Sequence, residues 1–370
     1  MKHIERSGLY QGMHQWLRAS TALLVFASCA SPVDDEISEV EQLLKPSPGG
    51  GIGIDEACPT WGCGTNSPSI DFAGFHELNE LGLENLEGFR ITRLQKRNAS
   101  NQWISYRPDV RNGYLYARSL TTGADIYSGS QLVGARFIVT KPAEHRTFHL
   151  TIEFHSEAPI WAMQVAQTPT YRIAWSEPST GLRGYVCSDP IAEGGLQPHD
   201  AVLMDDDRVD ADMLEFTGLP PTNWFSIGCA RHALTKVHQL GYTKAANAIL
   251  GVTTSLAQRT AALKMITADY CGSGDAFTIQ GQPLHWRDRN GWNDTTIPGE
   301  KVEAAWSERG ALCVGTPRLI ANPPVPPASF PDLTAELAAF GCTLPPTCTP
   351  EIIGAAGIDY DNAHFVSTNY

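Results

Sequence analysis

Groups with acid–base or nucleophilic chemistry gather between residues 269 and 288: Asp269, Cys271, Asp275, His285 and Asp288. Cys271 with His285 as base and Asp269 or Asp288 as orienter has the composition of a thiol-nucleophile site. Asp269 with Asp288 has that of a paired-carboxylate hydrolase. The thiol reading meets a physical obstacle. Leu256, Leu263, Ile266 and Tyr270 recur at steps of seven, three and four, which predicts one face of an amphipathic helix running out at Gly272 and Gly274. A cysteine at a helix C-terminus faces the negative end of the dipole, which raises its pKa. Asp269 also has a structural alternative, accepting backbone amides in the turn that follows. No Gly-X-Ser-X-Gly elbow, phosphate loop or dinucleotide fingerprint accompanies these residues, and no cofactor or metal is expected.

The elements that must position them alternate between two periods. After the helix, Phe277-Thr-Ile279 and Leu284-His-Trp286 flank Gln280-Gly-Gln-Pro283 and predict a hairpin. Upstream, residues from about 70 to 187 are strand-rich, with period-two runs at 89–94, 114–116, 136–139, 147–155, 171–175 and 182–187. On the fourth run His149, Glu153 and His155 differ by even steps and share one predicted face, either a solvated face or a cation site. Asp205 to Asp212 forms the densest acidic cluster but lacks the glycine and closing glutamate of a calcium loop. Ile227, Ala230, Leu234 and Val237 predict a helix opening at Thr222-Asn223 and ending at Gly241, with Cys229 inside it. An Ala-rich run at 244–252 leads into the helix before Asp269. Trp161, Trp175, Trp224, Trp286, Trp292 and Trp306 are either core or the lining of a glycan or peptide groove.

A formal charge of −13 disfavours nucleic acid and anionic headgroups as partners. Residues 19–29 follow Arg18 with a short apolar core and small residues ahead of Cys29, far shorter than the roughly 20 residues that span a bilayer. Phe26-Ala-Ser-Cys29 resembles a bacterial lipobox, in which Cys29 carries the lipid that anchors the chain; ordinary cleavage after Ala27 or Ala30 is the alternative. Beyond Cys29 stand Cys58, Cys63, Cys187, Cys229, Cys271, Cys313, Cys342 and Cys348, an even set that reads as four disulfides. Cys58–Cys63 and Cys342–Cys348 are expected as local bonds, with Cys187, Cys229, Cys271 and Cys313 cross-linking the body.

Gly228-Cys229, Ala268-Asp-Tyr-Cys-Gly-Ser-Gly274, Thr278 with Gly281, Asp288, Ala305-Trp306, Gly310-Ala-Leu-Cys313 and Pro317-Arg318 together resemble the ADYC domain family over roughly residues 180–320. The Cys58–Pro68 stretch is its expected accompaniment. The resemblance implies an exported, cysteine-paired, lipoprotein-like domain and carries over no catalytic residue. The expected organisation is a signal segment at 1–29, an acidic Pro/Gly tether at 30–53, a β-rich region at 54–180, the ADYC-like domain at 181–320 and a Pro-rich tail at 321–370. The fold class is α+β: an antiparallel sandwich or barrel with a two-helix insert and a C-terminal hairpin, cross-linked by disulfides. A surface-anchored binding or structural protein is the expected function, with a secreted hydrolase acting through Asp269 and Asp288 as the alternative.

Overall fold

The computed structural model describes residues 68–71, 73–188, 195–205, 207–210, 212–218, 223–278, 282–321, 337–338, 341–349 and 363–369. The signal segment with Cys29, the tether, the Cys58–Cys63 pair and most of the Pro-rich tail lie outside these residues.

A short ladder of β1 (Ser69–Ile70) and β2 (Ala73–Gly74) precedes a large antiparallel sheet. Its strands are β3 (Glu77–Asn79), β4 (Arg90–Arg97), β5 (Trp103–Arg111), β6 (Tyr114–Arg118), β7 (Asp125–Ser128), β8 (Arg136–Lys141), β9 (Arg146–Ile160), β10 (Met163–Ser176), β11 (Arg183–Tyr185) and β12 (Asp200–Asp205). After a second ladder of β13 (Val209–Asp210) and β14 (Glu215–Phe216), β15 (Trp224–Cys229) completes it. The order is β3-β15-β12-β10-β9-β8-β4-β5-β6-β7, with β11 also on β10. β5 pairs with β4 through Trp103–Tyr106 and with β6 through Arg107–Arg111, so it turns a corner. The sheet then curls until its β5–β6 hairpin lies over β10 and β12, where Leu115 N donates to the Tyr171 hydroxyl at 2.9 Å and Gly113 N to Asp205 Oδ1 at 2.8 Å. Inside the curl sits one apolar core.

β12 explains how a second core forms. Ala201 and Leu203 enter the first core while Val202 and Met204 enter the other, so the strand is buried on both faces and reads as an apolar run. Against that second face pack α1 (Ala233–Gln239), α2 (Lys244–Leu250) and α3 (Leu256–Thr267). Beyond them lies a four-stranded sheet in the order β16 (His285–Asp288), β19 (Phe365–Asn369), β17 (Lys301–Ser307), β18 (Gly310–Val314), with α4 (Arg318–Ala321) following β18. The architecture is α+β, mostly antiparallel sheet with a helical insert and disulfide cross-links. Among the described residues no helix is long and apolar enough to cross a membrane.

Several local expectations change. Residues 224–229 are strand, not helix, because Phe225, Ile227 and Cys229 enter the first core at period two. The turn of the hairpin expected across 280–283 lies partly outside the described residues; of its flanks, Phe277 N bonds Thr267 O, and β16 pairs with β19. The C-terminal hairpin is β17–β18. Helix α3 is buried on nearly all sides rather than amphipathic, and Leu256, the residue expected to open its apolar face, is 38% exposed. A bulge in the β9–β10 pairing skips Glu153, which sends His155 inward against Tyr171 while His149 stays outside beside Arg136. The two histidines therefore do not share a face. The acidic cluster closes loops: Asp207 is buried against Arg259 at 3.2 Å, and Asp210 accepts from the amides of Asp212 and Met213.

Disulfide pairing differs as well. Cys187–Cys229, with Cα atoms 5.3 Å apart, lies in the first core. Cys342 and Cys348 do not bond one another: Cys271 pairs with Cys342 and Cys313 with Cys348, at Cα separations of 5.7 and 4.8 Å. Residues 342–348 are laid along β18, where Val314 N donates to Pro346 O and Cys348 N to Val314 O, so each cysteine of that segment meets a different partner. Loops of 42, 71 and 35 residues are closed, worth about 4 kcal/mol each in the chain-entropy account.

His238 ties the insert to the sheet. Its ring bonds the hydroxyls of Thr243, the N-cap of α2, at 2.7 Å and of Thr168 on β10 at 2.9 Å. Burial pushes its pKa down to about 3. The ring is neutral in the folded chain, while the unfolded chain gains a proton below about 6.5, so His238 contributes stability above that pH which is lost as pH falls toward 3. Urea unfolding at pH 7.5, 6.0 and 5.0 should show a His238→Gln variant with a pH slope flatter than wild type by about 1.4 kcal/mol per unit. Parallel slopes would refute the assignment.

Candidate functional site

The Ala268–Gly274 stretch is built from the end of α3. Ser255 and Gln258 form a capping box at its start, and Ala268 adopts the left-handed conformation at its end with φ 56°. That turns the chain so that Asp269, fully buried, faces back. One Asp269 oxygen takes the Ser273 amide at 3.1 Å; the other takes the Gly274 amide at 2.9 Å and the Lys264 ammonium at 2.7 Å. Lys264 also donates to Met213 O. Burial pushes the Asp269 carboxyl above its ordinary value, against Lys264 and the two amides. Gly272 and Gly274 have φ of 70° and 92°, and a Cβ on them would lie 2.2 Å from Arg309 O and 1.8 Å from Asp212 O. Only glycine permits that approach.

Tyr270 points the other way, into the second core, stacked on Trp306 at 5.3 Å. Its hydroxyl donates to Glu303 Oε1 at 2.7 Å. Glu303 in turn takes Arg318 Nε at 2.6 Å and Nη2 at 3.0 Å, and Arg318 donates onward to the α3 carbonyls of Met265 at 2.7 Å and Ile266 at 3.2 Å. All three side chains are buried, and burial followed by the Glu303 charge pushes the Tyr270 phenol well above its ordinary value, so it remains a donor. Cys271 closes its disulfide with Cys342.

The other named candidates stand on different elements. Asp288 Oδ1 accepts from Trp292 N at 3.0 Å, and Oδ2 from Asn293 N and Nδ2, both at 2.8 Å, which closes the turn after β16. His285 Nδ1 pairs with Glu300, whose second oxygen takes the Thr368 hydroxyl at 2.7 Å. Asp269 and Asp288 share no partner. Asp275 takes the Ser273 hydroxyl at 2.7 Å. Among the described residues no group of three or more His, Cys, Asp or Glu side chains is arranged to hold a metal ion.

Three of the six tryptophans named above, Trp161, Trp286 and Trp292, come together at the surface. With Asn293, Asp294 and Thr295 they line an open groove of roughly 730 Å³. Trp175 and Trp306 are core, and Trp224 lies under the Arg208 guanidinium at 4.5 Å. Both groove walls are pinned to the end of α1: Trp161 N donates to Gln239 O at 2.6 Å and Asn293 Nδ2 to Leu240 O at 3.3 Å. Tyr242 backs Trp292 at 5.3 Å. Sequence supplies the six tryptophans but not this selection, which depends on the β9–β10 turn meeting the Asp288 turn. The Glu303–Arg318 pair and the separate Lys264–Asp269 pair also escape sequence reasoning, since their spacing carries no local signal.

A model of the ADYC domain matches residues 129–320, a span that starts upstream of the one expected and holds every residue lining the groove. No curated protein and no solved structure matches the chain.

The buried set gives a test. Removing one charge of a buried pair costs about 3–5 kcal/mol, whereas replacing both by apolar groups costs less. Urea unfolding should therefore find Glu303→Ala strongly destabilised and Glu303→Leu with Arg318→Met less so. A loss below about 1 kcal/mol for Glu303→Ala, the range of exposed pairs, would contradict the network.

Proposed function

The chain belongs to the ADYC domain family, and from that premise we propose that it is an exported, disulfide-locked protein that binds a ligand or serves as a scaffold without turning a substrate over, held at the cell surface by a lipid on Cys29. The observation that supports the non-enzymatic reading is the commitment of the four groups that the thiol and paired-carboxylate readings use. Asp269 holds Lys264 and two amides, Asp288 closes the turn behind Trp292, His285 pairs with Glu300, and Cys271 is in a disulfide. A general acid or nucleophile needs a free atom within reach of substrate. None of these groups offers one without dismantling the structure it supports. Among the described residues, the groove of Trp161, Trp286 and Trp292 is a surface feature suited to holding a ligand. Three disulfides, of a kind that persists in oxidising compartments, support export. The Arg18–Cys29 segment supports an envelope anchor with the outer membrane as its place.

Alkylation of the denatured, processed protein with and without reductant, read by intact mass, tests this. The expected result is eight cysteines that react only after reduction and an acylated N-terminal Cys29. A free Cys271 thiol would overturn the scaffold, and an unlipidated start after Ala27 or Ala30 would overturn the anchor.

A further inference from the structure

We infer that the Trp161–Trp286–Trp292 groove is a carbohydrate-binding site that takes an uncharged oligosaccharide. This deepens the binding reading above and rests on it.

The lining combines two chemistries. Three partly exposed indoles, packed from behind on the second core, offer flat apolar faces. The C–H faces of pyranose rings match such surfaces, while ring hydroxyls need donors and acceptors at the edge. Asp294 supplies an acceptor there: its Oδ1 takes the amide and hydroxyl of Thr296 at 3.2 and 2.6 Å, leaving Oδ2 for ligand hydroxyls. Trp286 Nε1 is buried and faces away from solvent, so Trp286 meets a ligand through its ring and not through its N–H.

Other occupants fit less well. An anionic polymer would meet Asp294 in the lining and a chain of net charge −13. A quaternary ammonium group would suit tryptophan faces beside a carboxylate, but one such group would leave most of roughly 730 Å³ empty. An extended peptide needs unpaired backbone along a wall. Here Trp161 N is held by Gln239 O, Trp286 N by Thr295 Oγ1, Trp292 N and Asn293 N by Asp288, and Thr295 N by Trp286 O. Recognition is left to side chains, as a glycan requires. Because both walls are fixed to the end of α1, the groove is preformed and little ordering cost attends binding.

The test titrates the processed protein with cellohexaose, maltohexaose and N-acetylchitohexaose by calorimetry and tryptophan emission, with mass spectrometry of the sugar afterwards. Saturable binding of at least one is expected, weakened about tenfold or more by Trp292→Ala, a loss in keeping with the removal of one aromatic contact. Trp292→Ala also removes a contact to Tyr242. Asp294→Ala, at an exposed turn position, therefore serves as the second variant and should weaken binding several-fold with an unchanged thermal melt. No binding of any of the three sugars, unchanged affinity in both variants, or saturation by tetramethylammonium or a trimethyl-lysine peptide instead of sugar would overturn the inference. Sugar cleavage that both variants abolish would uphold the groove and overturn the non-enzymatic reading, so the two fail separately.

Discussion

Helix α3 ends inside the protein, and a helix end that is not in water must have its last carbonyls satisfied by something else. Arg318 does this for Met265 and Ile266, and most of the motif follows from that choice. A buried guanidinium requires a counter-charge, which is Glu303; the remaining capacity of Glu303 is taken by the Tyr270 hydroxyl. Tyr270 reaches it only because Ala268 turns the chain through a left-handed residue, a conformation costing roughly 1–2 kcal/mol outside glycine and here offset by burial of the Ala268 methyl in the second core. The same turn sends Asp269 backwards onto Lys264. Ala268, Asp269, Tyr270 and Cys271 thus face four directions and join the helix to β17, to the 212–213 turn and to the 342–348 segment.

The C-terminal segment completes what this turn begins. β19 lies between β16 and β17, so one of the two inner strands of the small sheet is supplied by residues 365–369, beyond the 129–320 match. Two disulfides hold the preceding 342–348 stretch to Cys271 and Cys313. Those bonds restrict the chain where the antiparallel partner of β16 must be found across a long sequence separation, the kind of contact whose loop entropy is hardest to recover.

The fold class was legible where one period governs. β6 and the first half of β9 alternate because one face is core, whereas β4 is bulged between Ile91 and Arg93 and β8 is buried at three successive residues. Legibility ended where a strand is buried on both sides or departs from its period. Phe225, Ile227 and Cys229 alternate, yet Ile227, Ala230, Leu234 and Val237 also satisfy a helical spacing, and only pairing with β12 decides between them. The bulge at Glu153 reverses His155 with no local composition to announce it. Cys342 and Cys348, six apart, suggest a local bond until the segment is seen laid along β18. Arg318, Glu303 and Lys264 carry no local sequence signal of burial. Their burial is a property of the second core, which exists only once β12, α3 and β17 have met.

The candidate site was misleading for a related reason. Carboxylates, a histidine and a cysteine clustered by a glycine-rich turn have the composition of a catalytic centre, but composition does not say which atoms are free. Here the buried carboxylates act on backbone. Asp269 fixes the turn after α3, and Asp288 fixes the turn that carries Trp292 to the surface. Asp288 is therefore a positioning residue for the groove. The wall opposite, at Trp161, depends on the carbonyl end of α1, the helix that His238 secures to β10. A groove whose walls hang on a neutral buried histidine and a turn-closing carboxylate is held as firmly as the core behind it, the condition under which aromatic surfaces select a ligand by shape.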